Sequence, residues 1–474
     1  MIVNDSRISR GDFGDDTIAA IATPIGSGAI GIVRLSGDES IAVAERVFRS
    51  HSGASVSDFP SHTVHLGFVV DPGSGQVVDE CLLTLFRAPS SYTGEDVVEF
   101  SCHGGASIVA KVLETILLAG ARPAEPGEFT KRAFLNGKLD LAQAEAVNDI
   151  IRARTDEARR LALSQLSGVL SKEVKNISDK LMSVLSRVSA SVDFPEDVPE
   201  PDYSEVSSEL AYAASEIDRL IATSRQGCIY REGVTLAIVG RPNVGKSSLL
   251  NALLRRDRAI VTDVPGTTRD TIEEVMNIHG VPVIVVDTAG IRKSSDEIER
   301  IGIKLTEQTI ESAGIVLVVI DAADDFTDGD FDIIQRIGSR AIVVLNKMDI
   351  VTDNSTELSA KEACSRLGID EPVAVSAKTG FGIDDLENKI ASVALGTEAG
   401  FSDGAVVASA RHRHALNRAR EYIGEAIVTL ESGQPIDLIS GDIQAAVAAL
   451  GEITGETASS DLIDRIFSEF CIGK

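Results

Sequence analysis

Apolar positions along the chain fall into three successive textures. From Thr17 to about Asn136, short apolar runs (Ile30 to Leu35, Thr63 to Val70, Cys81 to Phe86, Val97 to Phe100) alternate with Gly- and Ser-rich turns. Such runs predict strands, and one helical stretch, Ser107 to Leu118, interrupts them, so a small α+β domain is expected. From Leu139 to about Ser191 the apolar residues recur at helical spacing (Leu139, Ala142, Ala146, Ile150; then Leu161, Leu166, Leu170), the pattern of long amphipathic helices. Asp193 to Glu205 carries three prolines and six acids, a stiff solvated connection. Helical texture resumes from Glu205 to Gln226 and yields to strand, loop and helix from Val234 to about Leu395. It returns from Arg411 to Phe470. The expected architecture is multidomain α/β: an N-terminal α+β domain (1–136), a discontinuous all-α domain (137–232 and 398–474), and an inserted α/β unit (233–397) whose flanking helical halves must pack across it.

Composition narrows the partners. The 474 residues exceed one ordinary core, and 43% apolar with 25% charged residues is globular. The balance of 45 Lys and Arg against 72 Asp and Glu gives −27, which disfavours nucleic acid and anionic membranes except where basic residues cluster locally. No apolar run approaches a membrane span, and the acidic N-terminus lacks the order of a signal peptide. Five scattered cysteines without a CxxC pair read as reduced thiols, so a cytoplasmic location with no membrane contact is expected. His103 in His103-Gly104-Gly105 has no metal-ligand spacing around it.

The chemistry lies in the inserted unit. A strand, Thr235 to Gly240, leads into Gly240-Arg241-Pro242-Asn243-Val244-Gly245-Lys246-Ser247 and then a helix from Ser248 to Leu254. This is GxxxxGK[ST] in its required strand–loop–helix context: backbone N–H groups wrap the β-phosphate, Lys246 reaches the β/γ oxygens and Ser247 ligates Mg²⁺. The strand Val281 to Val286 ends in Asp287-Thr288-Ala289-Gly290, an acid for a Mg²⁺ water and a Gly N–H for the γ-phosphate. Between them lies Thr262-Asp263-Val264-Pro265-Gly266-Thr267-Thr268, in which Thr268 is the natural second hydroxyl on Mg²⁺. Strand Ala341 to Leu345 ends in Asn346-Lys347-Met348-Asp349, and Asp349 suits the N1–H and exocyclic amine of guanine, donors that adenine lacks. Ser376-Ala377-Lys378 after Val373 to Val375 supplies an N–H for guanine O6. Five motifs in this order predict a P-loop, Ras-like G domain that binds GTP. Many small G proteins carry Gln after DxxG to orient the attacking water; here Ile291 stands there, and the acids from Asp296 to Glu299 are the nearby candidates.

With the chain's flanking motifs added, the sequence resembles the MnmE (TrmE) family of tRNA-modification GTPases over essentially its full length. The residues that carry the likeness are Asp16-Thr17-Ile18, Ala22-Thr23-Pro24, Gly31 to Gly37, Tyr92-Thr93-Gly94-Glu95-Asp96, His103-Gly104-Gly105, Pro126-Gly127-Glu128-Phe129-Thr130, Arg132 to Lys138, the G motifs, and Phe470-Cys471-Ile472-Gly473-Lys474. The resemblance implies a homodimer through the N-terminal domain and a partnership with an MnmG-type FAD protein in a heterotetramer or larger complex. It implies installation of a carboxymethylaminomethyl or aminomethyl group at C5 of the wobble uridine of certain tRNAs. The carbon would come from a tetrahydrofolate, in the 5-formyl or 5,10-methylene form, held by Arg34, Glu99, Lys138 and Lys474. It also suggests Cys471 as a thiol near the modification site. Finally it implies a K⁺ ion, held by Asn243, Thr262, Val264 and Thr267, in place of an arginine finger, with Glu299, Lys246 and Thr268 as the catalytic residues, Glu299 orienting the water, and Ser248 among the GTP-binding residues.

Two other classes share the G motifs. A ribosome-assembly GTPase that binds RNA is opposed by the net charge and by the lack of a terminal GxxG module in basic surroundings. A GTP-driven switch or scaffold would have no one-carbon site, so folate binding separates it from the first reading.

Overall fold

The computed structural model describes residues 16–24, 26–256, 274–286, 313–352, 355–396 and 404–474. The chain opens with β1 (Ile18–Ile21), β2 (Ile30–Ser36), α1 (Ser40–Val47), β3 (Phe48–Ser50), β4 (Thr63–Val70), β5 (Val77–Phe86), β6 (Val97–His103), α2 (Ala106–Leu118), β7 (Arg122–Pro123) and α3 (Glu128–Leu135). These strands form one sheet in the order β3-β4-β5-β6-β2-β1-β7, antiparallel except where β7 runs parallel to β1. The single helical interruption expected from the sequence is three helices. One reason is visible in α3, where Glu128, Lys131 and Arg132 are buried, so a core-facing helix does not read as apolar.

The sheet has two unlike faces because strand side chains alternate. Val33, Leu35, Leu83, Leu85, Val98 and Phe100 point into the core, together with Val43 and Val47 of α1 and Val112 and Ile116 of α2. The opposite face carries Arg34 and Glu99 with Val64, Leu66 and Leu82, the last three 58%, 47% and 43% exposed. Leu66 stands opposite Leu82, and Thr84 joins Val64 to Glu99 across the strands, so this open apolar row runs directly into the Arg34–Glu99 pair.

Helices α4 (Leu141–Arg152), α5 (Asp156–Leu166), α6 (Val169–Asp193) and α7 (Tyr203–Glu232) follow, with residues 194–202 connecting α6 to α7. The α/β segment holds β8 (Val234–Val239), α8 (Lys246–Arg256), β9 (Glu274–Ile278), β10 (Val281–Val285), β11 (Ile315–Asp321), α9 (Asp328–Ile337), β12 (Ala341–Asn346), α10 (Ser355–Leu367), β13 (Val373–Ala374) and α11 (Ile383–Leu395). The chain closes with α12 (Ala410–Glu431), α13 (Ile439–Thr454) and α14 (Ser460–Ser468). The second sheet is ordered β13-β12-β11-β8-β10-β9 and is parallel except for the edge strand β9. Its central strands are continuous buried runs, as required of strands covered on both faces. Because the chain leaves β8 toward β10 and returns on its other side as β11, the loop after β8 lies at a topological switch point, where open α/β sheets bind ligands.

By contacts the chain forms two units, one of Met1–Asn148, Ser171–Ser207 and Glu425–Lys474, the other of Asp149–Leu170 and Ser208–Gly424. Sequence-distant helices meet within each. Leu141 and Ala144 pack with Ile463, Phe467 and Phe470 in the first. In the second, Gln165 Nε2 donates to Val406 O (3.3 Å) and the Val407 N–H to Thr223 Oγ1 (3.0 Å). Among the described residues no helix is long and apolar enough to cross a membrane.

Candidate functional site

The loop after β8 enters α8 through a turn that only particular residues permit. Gly245 has φ +98°, and a Cβ there would stand 2.3 Å from Asn346 Nδ2, so both the dihedral and the space require glycine. Earlier in the same loop Asn243 is left-handed, at φ +65°, with an exposed side chain. Asparagine tolerates that conformation better than most residues with a Cβ. Lys246 Nζ donates to Gly240 O (2.7 Å) and Arg241 O (2.8 Å), and burial pushes its ammonium below the usual lysine range. A phosphate oxygen offers that cation a stronger, charged acceptor than either carbonyl. Val244 is buried behind the loop, while Ser247 and Ser248 are exposed in the first turn of α8, where N–H groups and the helix dipole favour an anion.

Asn346 proves to be the clamp of the site. Its buried amide donates to Val244 O (2.9 Å), and its Oδ1 accepts the Ala377 N–H (3.1 Å), so one side chain joins the phosphate loop, the end of β12 and the Ser376-Ala377-Lys378 loop. Lys347, at φ +68°, donates from Nζ to Asp321 Oδ2 (2.6 Å), and the Met348 N–H donates to Val375 O (3.2 Å). These bonds hold Asp349 at the surface of the site, where Ser376 Oγ donates to its Oδ1 (2.7 Å) and Lys378 Nζ stands 4.0 Å from Oδ2. The Ser376 hydrogen bond is the main reason the Asp349 carboxyl lies below the usual range, so it is ionised near neutral pH. Thr262, Asp263, Val264, Pro265, Gly266, Thr267, Thr268, Asp287, Thr288, Ala289, Gly290, Ile291 and Glu299 lie outside the described residues.

A second cluster lies on the open face of the N-terminal sheet. Arg34 and Glu99 are direct cross-strand partners, and Arg34 Nε donates to Glu99 Oε1 (2.7 Å). The guanidinium also donates to Gly473 O (3.4 Å) and lies 5.7 Å from the ring centroids of both Tyr92 and Phe129. The last residues reach this place because the Gly127 N–H donates to Cys471 O (3.4 Å) and the Phe129 N–H to Lys474 O (3.2 Å). Gly473 has φ +95°, and a Cβ there would meet Ile21 O at 2.2 Å. Burial, then repulsion from Arg34, pushes the Lys474 ammonium down, while Cys471 and Glu99 act in the other direction. Lys138 runs past Gly94 and donates to Pro89 O (3.0 Å), at the loop that carries Tyr92. Cys471 is exposed, and the other four cysteines are also free thiols.

Beneath this cluster the N-terminal motifs form an ion network that local sequence does not disclose. Arg132 donates to Glu95 Oε2 (3.1 Å), Glu128 Oε1 (2.9 Å) and Asp16 Oδ1 (3.0 Å), and Arg122 pairs with both Glu128 and Asp16. Burial favours the neutral acid at Glu128, yet Arg122, the Glu125 N–H and Arg132 together hold it below the carboxylate range. Arg132→Met takes the cation from buried Glu95 and one of two from Glu128, which keeps Arg122, and is expected to cost about 3 kcal/mol in urea unfolding near neutral pH. The stabilisation held by a lowered carboxylate is present above its unfolded pKa and is lost as pH falls through the folded value. The variant's deficit therefore shrinks in acid; an equal deficit at all pH would show that packing, not charge, is lost.

Comparison with known proteins covers both regions. Residues 17–138 match the model described as "GTP-binding protein TrmE N-terminus", and residues 141–471 match "MnmE helical domain". The tRNA modification GTPase MnmE of Moorella thermoacetica is 48% identical over 463 residues, covering 97% of this chain and 100% of that protein. The protein of the same name from Geobacillus kaustophilus is 46% identical over 462 residues, covering 97% and 99%.

Proposed function

The chain belongs to the MnmE (TrmE) family and is a GTP hydrolase of tRNA modification; on that basis we propose that it installs an aminomethyl-type group at C5 of the wobble uridine, with an MnmG-type flavoprotein and a tetrahydrofolate one-carbon unit. The observation that carries the proposal is the meeting of Arg34, Glu99 and Lys474 from three distant parts of the chain on one open sheet face. Glu99 accepts N–H donors of a pterin edge, Arg34 and Lys474 meet carbonyl or carboxylate oxygens, and Tyr92 and Phe129 offer ring surface to a planar group. Lys138, bonded at the loop that carries Tyr92, would hold a carboxylate tail. The exposed row of Val64, Leu66 and Leu82 beside them supports a homodimer in which a second copy covers this face.

In this reading Asp349 selects guanine, Lys246 and the α8 N-terminus hold the phosphates, and Ser247 with Thr268 would hold Mg²⁺. Asn243, Thr262, Val264 and Thr267 would hold K⁺, and Glu299 would orient the water. The segments 1–136, 137–232, 233–397 and 398–474 act as folate, helical, G and second helical parts, in the cytoplasm. Cys471 stands beside the folate cluster as a candidate thiol.

Calorimetry with 5-formyltetrahydrofolate tests the site. Saturable binding is expected, weakened at least about tenfold by Arg34→Ala or Glu99→Ala, the loss of one charged hydrogen-bonding partner. Because Lys474 starts with a lowered pKa, binding an anion raises it. Affinity should therefore fall as pH rises through that lowered value, with proton uptake that Lys474→Ala abolishes. No binding at millimolar ligand would reject the folate site.

A further inference from the structure

The helical segments 149–170, 208–232 and 404–424 contain eleven arginines, no lysine and eight acids, a basic surplus inside a chain of net −27. Arg152, Arg154, Arg231, Arg411 and Arg413 stand at or just past helix ends. Arg231 near the end of α7 donates to Asp149 Oδ1 in α4 (2.8 Å), so the end of α7 meets the last turn of α4, which closes at Arg152 with Arg154 two residues beyond. A Cβ on Gly227 in α7 would stand 2.2 Å from Val407 O, and the Val407 N–H donates to Thr223 Oγ1 (3.0 Å), so the segment leading into α12 lies against the C-terminal part of α7. Arg152, Arg154, Arg413 and His414 are exposed.

Helix stability does not account for this placement. Arg411 and Arg413 occupy the first turn of α12, which holds no acid, and cations there oppose the helix dipole. Arginine forks pair bidentately with phosphate and stack on bases, uses for which lysine is no substitute.

We propose that the surface formed by the ends of α4 and α7 and the start of α12 docks the phosphate backbone of the tRNA substrate. This rests on the reading that the chain acts on tRNA. RNA is favoured over an acidic protein partner because the permanent cations of the patch are all arginine, whose planar forks match phosphate oxygens.

The test is fluorescence anisotropy of the full-length protein with an unmodified tRNA transcript over a range of salt. Arg154→Gln with Arg413→Gln should weaken binding at least about tenfold and make the log–log salt slope shallower by about 2, near 0.9 per phosphate contact. GTP hydrolysis without RNA should be unchanged. The control Lys175→Gln with Lys361→Gln makes the same charge change at other exposed positions and should alter neither quantity. Wild-type protein that does not bind tRNA, a double variant that binds equally well, or a control that loses as much would each overturn the proposal. Loss of flavoprotein binding with RNA affinity retained would overturn it too. Failure here is separable from failure of the tRNA reading, which a deletion strain with unchanged wobble uridines would reject by itself.

Discussion

Asp349→Asn is expected to lower GTP affinity by a factor on the order of 10⁴ and to bring xanthosine triphosphate into the micromolar range, about −8 kcal/mol. In the proposed site the carboxylate would accept two guanine N–H donors; an amide at the same place would offer a donor that clashes with one of them and complements the exocyclic oxygen of xanthine. The fold should survive, because Asn still offers an oxygen to the Ser376 hydroxyl that bonds Asp349 Oδ1 at 2.7 Å. Equilibrium titration with both nucleotides, alongside thermal unfolding, checks the exchange. Undiminished GTP affinity would mean that this loop does not read the base.

GTP hydrolysis in K⁺ should exceed that in Na⁺ at equal ionic strength by at least about tenfold, part of the roughly 10³–10⁵ that an arginine finger supplies in other G proteins. The position after DxxG is Ile291, which cannot orient water, so transition-state charge must be met otherwise. Asn243 is exposed in the phosphate loop with a left-handed backbone, and it takes no part in the Asn346 clamp. Asn243→Ala should therefore erase the difference between the salts while nucleotide affinity stays within about threefold. Glu299→Ala should slow turnover in both salts. Equal rates in K⁺ and Na⁺ for the unaltered protein would reject the ion.

Those parts of the molecule whose work depends on neighbours in the chain can be read from sequence. The P-loop announces itself because its glycine, lysine and hydroxyl must follow one strand and open one helix, and β8 and α8 stand where the pattern puts them. Strands β2, β4, β5 and β6 of the first sheet are likewise visible as apolar runs, whereas the short β1, β3 and β7 are not. Long-range pairing is not. Nothing in the local sequence joins Asn346 to Val244, and Asn346 reads as part of a base-recognition motif although its amide ties three loops together. Arg34 and Glu99 lie 65 positions apart and stand out only through family resemblance; their register across β2 and β6 makes them a pair. Helix α3 escapes a reading by apolar spacing because its buried side chains include charged ones, and the network they form with Asp16 and Glu95 depends on strands that close only in the folded sheet. Gly473 reads as part of a terminal motif, whereas its physical reason is the carbonyl of Ile21 pressed against it.

Whether GTP turnover at this site drives the modification of tRNA is decided by mass analysis of wobble uridines in cells whose only copy carries Lys246→Ala, which removes an ammonium committed to the phosphate loop. With the variant present at normal abundance, the C5 modification should be lost and unmodified uridine should accumulate. Wobble uridines modified as in the parent strain would refute the link between turnover and modification.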